Sequence, residues 1–118
     1  MLRPKHCAQV YLYSGIVDMR KSIDGLAALV EQELDLSPMN EALFVFCNRK
    51  RDKIKWLYWE RNGFILWYKR LEKQRFNWLS DTDEVAIIID GYQLNLLPDG
   101  LDVFNNKPHE TLSFSTIN

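Results

Sequence analysis

Apolar and polar positions alternate over residues 8–14, "AQVYLYS", with Val10 and Leu12 set against Gln9, Tyr11 and Tyr13. This period of two predicts a first strand, which Gly15 ends. The period then changes. Met19, Ile23, Leu26, Ala27, Val30 and Leu34 fall within about one quarter of a helical wheel, the apolar stripe of a helix over 19–35. Asp18 stands where a cap side chain accepts hydrogen bonds from the free amides of a helix starting near Met19, and Ser37-Pro38 closes the segment. Gly25 interrupts the pattern at a cost of about 1 kcal/mol relative to alanine. It marks either the close approach of another backbone or a helix that is irregular up to Leu26.

The run "ALFVFC" at 42–47 is apolar throughout and bounded by loop signals, as in a strand buried on both faces. A basic turn follows at 48–52, then "KIKWLYWE" at 53–60, whose aromatic content favours a strand. Asn62-Gly63 is a hairpin signal, and "FILWYKRL" at 64–71 is the return strand. Residues 42–71 therefore read as a three-strand antiparallel meander. Phe76-Asn77-Trp78 fits a further short strand, and "EVAIIID" at 84–90 another buried one. Asp90 can cap a short helix, "GYQLNLL", halted by Pro98 and Gly100, and the chain reads as a loose tail from about 103. The expected fold is α+β: an antiparallel sheet, comprising the 42–71 meander and strands near 8–14 and 84–90, with the 19–35 helix packed on one face.

At 118 residues the chain is the size of one domain. No stretch approaches the ~18 consecutive apolar residues of a membrane span, and the N-terminus has no apolar run long enough for a signal peptide. A cytoplasmic protein with no membrane partner is expected. Cys7 and Cys47 are isolated, outside any CxxC pair, and read as two reduced thiols.

Charge changes the picture more than composition does. The net charge is −1, but residues 49–75 hold ten basic side chains against Asp52, Glu60 and Glu72, a surplus of seven. The remainder of the chain is correspondingly acidic, so the whole-chain value hides a dipolar distribution. A two-residue loop at Asn62-Gly63 pairs Lys55 with Arg70, and a three-residue loop pairs Lys55 with Lys69. Either register sets Lys55 against another cation, which costs a sheet a few tenths of a kcal/mol or more.

Two readings of this hairpin stand. Trp56, Trp59, Trp67 and Trp78 can be ordinary core, with the cations a solvated face around them. A solvated face usually mixes signs, however, and this segment does not. The second reading is an electropositive sheet face that contacts phosphates through Arg49, Lys50, Arg51, Lys53, Lys55, Lys69, Arg70 and Arg75, with an exposed ring such as Trp59 available for stacking. Arg20 and Lys21, at the start of the expected helix, oppose its dipole and are secondary candidates for phosphate or partner contact.

Catalytic patterns are weak. The carboxylates are scattered over different elements, and "HETLS" lacks the second histidine of an HExxH site. No phosphate loop or GxSxG elbow is present. No catalytic residue, metal site or cofactor is expected, although an active site assembled from distant residues leaves a metal-dependent nuclease as a further alternative.

The stretches "SGIVDMRKSIDGLAALV", "LFVFCNRKRDKIKWLYWERNGFILWYKRLEKQRFNW" and "IDGYQLNLLPDGLD" together cover most of the chain. Their combination resembles the small accessory protein, called TnpB or Orf2, of bacterial transposons in the insertion-sequence-sixty-six family. Pro98 departs from the leucine expected there. The resemblance implies a non-enzymatic role in transposition beside a separate transposase, with no agreed catalytic residue or ligand to carry over. The surplus of cations adds DNA, at the element ends or the target, as an expected partner, with the protein binding it directly or bridging it to the transposase of the same element. A protein scaffold or homo-oligomer that never touches DNA is the alternative.

Overall fold

The computed structural model describes residues 9–76, 78, 83–89 and 94. Strand β1 (Gln9–Ile16) leads into helix α1 (Ile23–Leu29), whose last turn widens to π spacing at Val30–Leu34 and closes on Asp35 in the left-handed region (φ 55°). Strands β2 (Ala42–Cys47), β3 (Lys53–Glu60) and β4 (Gly63–Arg70) follow, and β5 (Ala86–Ile89) is the last strand among the described residues. The order in the sheet is β4-β3-β2-β1-β5.

The meander is present, with β2 and β3 at their expected bounds. The sheet as a whole is mixed, not antiparallel. β1 runs parallel to β2, α1 lies in the crossover between them, and β5 pairs antiparallel with β1. Residues 17–41 give the crossover ample length for a parallel connection. β1 also runs past Gly15 to Ile16, with an irregular register against β2 after Leu12. At Gly15 the Tyr13 ring folds back so closely that a Cβ would sit 2.6 Å from it, space that only glycine provides.

β2 explains its own composition. Ala42, Phe44 and Phe46 face the helix, Leu43, Val45 and Cys47 face the other way, and all six are buried. On the helix side Leu26 and Val30, both fully buried, pack with Phe44, Phe46 and Leu57. Each such side chain contributes about 1.5–3 kcal/mol on leaving water. On the opposite side Val45, Ile54 and Trp56 pack under Phe76, Trp78 and Leu94. The Trp78 indole Nε1 donates to the Tyr13 carbonyl at 3.1 Å, tying this cover to β1.

The helix starts later than its apolar stripe predicts. Ser22 occupies the cap position, and residues 18–21 form a turn closed by the Lys21 amide donating to the Asp18 carbonyl at 3.0 Å. The neighbour of Gly25 is the aliphatic stem of Lys21, 3.3 Å from where a Cβ would stand, and not another backbone. No strand forms at Phe76 or Trp78, although both are buried; Asn77 lies outside the described residues. The short helix expected after Asp90 also lies outside them, apart from the helical, buried Leu94, as does the tail from 103.

Candidate nucleic-acid interface

The hairpin register decides where the cations go. Arg61 and Asn62 form the two-residue tip, with Arg61 in the left-handed region (φ 55°), and Glu60 pairs with Gly63. The tip therefore sits one residue earlier than Asn62-Gly63. Lys55 lies opposite Tyr68, its ammonium 5.6 Å from the ring centroid, and faces no cation, contrary to both expected registers. The facing cations are Lys53 and Arg70. Each has its own carboxylate: Asp52 lies 3.8 Å from Lys53, and Glu72 accepts from the Arg70 Nε at 2.8 Å. The repulsion expected across the ladder is thus relieved locally.

Strand alternation puts Lys53, Lys55 and Arg70 on the helix side and Lys69 on the other, so no single sheet face carries the charge. The cations gather at one end of the sheet instead. β1 and β2 are parallel, so the 17–22 loop leaves the same end as the 48–52 turn, and β4 also finishes there. Arg49, Lys50 and Arg51 lie in the turn, Lys53, Lys69 and Arg70 in the adjoining strand ends, and Lys73 and Arg75 in the loop after β4.

Backbone bonds fix this arrangement. The Leu71 amide donates to the Asp52 carbonyl at 2.7 Å, and the Phe76 amide to the Arg51 carbonyl at 2.6 Å. The turn itself is organised by Asn48, whose Oδ1 accepts from the amides of Asp52 (3.2 Å) and Lys53 (3.0 Å) while its Nδ2 donates to the Asp52 carboxylate at 2.8 Å. This Asn48 bond, with Lys53 a lesser influence, holds the Asp52 carboxyl below its ordinary range. Arg51 takes the left-handed conformation (φ 62°) to close the turn.

Among the described residues, Arg49, Lys50, Arg51, Lys69, Lys73 and Arg75 have no carboxylate within ion-pair distance. All except Lys69 are exposed. Exposed cations on adjoining loops raise the local potential, an effect that salt screens.

The secondary candidates divide. Arg20 and Lys21 stand at the same end, in the 17–22 loop. Arg20 is bound to Asp18 by a bidentate contact, at 2.6 Å for the closer pair, and its backbone amide donates to the same carboxylate. Those bonds lower the Asp18 pKa to about 2. Trp59 sits near the hairpin tip, about 20 Å along β3 from Lys53 at ordinary strand rise, half-buried and edge-on to Phe64. It is not part of the basic end. The ring of Tyr68, 47 % exposed, lies beneath the Lys55 ammonium. Lys55 is tied down, donating to the carbonyls of Met19 and Lys21 at 2.8 Å each and pinning the 17–22 loop to β3. Lys73 and Asn48 had no place among the sequence candidates. The Asn-to-Asp spacing of the 48–52 turn was the available signal for Asn48.

Of the four tryptophans, Trp56 and Trp78 are buried and Trp59 and Trp67 half-buried, with Trp67 stacked at a tilt on Trp56. Cys47 is buried, and loss of solvent pushes its thiol pKa up to about 12, so it is no nucleophile at neutral pH. Asp18, Asp52 and Glu72 each hold a cation, and among the described residues no three His, Cys, Asp or Glu side chains group as a metal cage. No helix among the described residues is long and apolar enough to cross a membrane.

Among the described residues, a mixed five-stranded sheet with one covering helix and a cation-rich end defines a small α+β protein. Residues 8–108 match the family described as IS66 Orf2 like protein, and the chain belongs to that family. It is 35% identical over 111 residues to the uncharacterized protein y4hO of Sinorhizobium fredii, an alignment spanning 94% of each chain. Protein y4jC of the same organism is 31% identical over 102 residues, 86% of each. No solved structure matches.

Proposed function

We propose that the protein is a non-catalytic accessory factor of transposition that holds DNA by its phosphate backbone, either alone or as a bridge to the transposase. Membership of an Orf2 family supports the accessory role. One observation supports the DNA contact: Arg49, Lys50, Arg51, Lys73 and Arg75 are exposed, lack carboxylate partners among the described residues, and lie on two loops bonded together through the Arg51 and Asp52 carbonyls. Phosphate contacts of this kind position a protein on DNA without reading sequence. Trp59 and its neighbour Phe64 lie at the far end of the hairpin, away from these cations.

The test is a mobility shift with element-end and random duplexes across a salt series. Shifts with both, weakening steeply as salt rises, are expected. No shift with any duplex, together with co-purification with the transposase that survives nuclease, would establish the scaffold reading instead. That reading draws on Ile65 and Tyr68, each 47 % exposed on the outer strand β4.

A further inference from the structure

The two outer strands of the sheet complement each other. β4 pairs with β3 on one side and β5 with β1 on one side, and among the described residues nothing pairs with the outer edge of either. Soluble proteins blunt such edges with proline, bulges or inward charges. β4 has none of these between Phe64 and Tyr68: it pairs without a register shift, and its middle, "FILWY", is continuously apolar. On β5, Ile88 is 55 % exposed, and Val85 just before the strand is 45 % exposed.

The pairings define straight rows across the sheet. Trp67 lies beside Trp56, Trp56 beside Val45, Val45 beside Leu12 and Leu12 beside Ile87. The neighbouring row runs Leu66, Leu57, Phe44, Tyr11, Ile88. β4 and β5 run in opposite directions, so a second copy displaced sideways brings its β5 antiparallel to β4 with both helices on the same side.

We infer that the sheet continues from one copy of this chain into the next through β4 and β5. Rows extended without stagger set Trp67 against Ile87 of the next copy, Leu66 against its Ile88 and Arg70 against its Glu84. Charge favours this arrangement over a two-fold pairing of β4 with itself. Lys69 and Arg70 end β4 at the same end of the sheet where exposed Asp83 and Glu84 precede β5, so cation meets carboxylate only in the β4–β5 contact. The contact is heterologous, uses a different edge on each copy, and generates chains or rings rather than closed dimers.

Sedimentation velocity on nuclease-treated, DNA-free protein over a concentration and salt series tests this. The wild type should grow beyond a dimer with concentration and shrink with salt. The variants D83K/E84K and K69E/R70E should each stay monomeric alone, and an equimolar mixture should associate again because every β4 corner regains an opposite β5 corner. A wild type that is monomeric throughout, a dimer that never grows, or a mixture that stays monomeric would overturn the inference. Because no DNA is present, each of those results leaves the DNA-binding reading to its own test.

Discussion

The backbone amide of Phe76 donates to the carbonyl of Arg51 at 2.6 Å, across 25 positions of sequence. This bond holds the loop that bears Lys73 and Arg75 against the turn that bears Arg49, Lys50 and Arg51. It depends on the Arg51 backbone and not on its side chain, which separates position from charge. An L-residue in the left-handed region costs about 1–2 kcal/mol, and glycine returns about 0.5–1 kcal/mol of that to the unfolded chain. Arg51→Gly should therefore keep stability within about 1 kcal/mol of the wild type by urea denaturation while DNA affinity falls several-fold. Marked destabilisation would show that the side chain, not the carbonyl, anchors the turn.

Lys55 and Lys50 should behave oppositely. Lys55 spends its ammonium on the carbonyls of Met19 and Lys21, whereas Lys50 is exposed and lacks an ion pair among the described residues. Lys55→Met should cost about 1–2 kcal/mol of stability by leaving those carbonyls without their donor, with little change in the salt dependence of DNA binding. Lys50→Ala should change stability by less than about 0.5 kcal/mol and weaken DNA binding. Equal stabilities for the two variants would contradict the structural role given to Lys55.

The Asp18 carboxyl should titrate near 2, well below its ordinary value of 3.8, chiefly because the Arg20 side chain and then the Arg20 amide bond to it. A depressed carboxyl contributes stability that is complete above the unfolded value and is lost as pH falls through the folded one. The 17–22 loop should accordingly keep its conformation at pH 4 and loosen only towards pH 2. A carboxyl carbon NMR titration reads this directly, and a midpoint near 4 would show that the Asp18–Arg20 contact does not persist in solution.

What the sequence revealed follows its local physics. β2 was legible to the residue because a strand buried on both faces needs an unbroken apolar run that a basic turn stops, and β3 because its aromatic content favours a strand. The parallel β1–β2 pair was not, since alternation along Gln9–Ile16 reports burial of a face and says nothing of a neighbour's direction. The hairpin register slipped because Arg61 takes the left-handed position that Asn62-Gly63 advertises. The identity of the cations was plain, but their grouping was not. It rests on bonds such as Phe76 to Arg51 and Lys55 to Met19, which join residues far apart in the chain and leave no periodic trace.

The most direct test of the central claim is the slope of DNA affinity against salt concentration, each on a logarithmic scale, for the wild type and for a folded K50E/R51E/R75E variant. Each phosphate contact on a duplex contributes a slope of about −0.9. The basic end predicts a steep wild-type slope that becomes shallower by about 3 in the variant, with affinity lost at low salt. Equal slopes and equal affinities would show that DNA, if bound, is held elsewhere on the molecule.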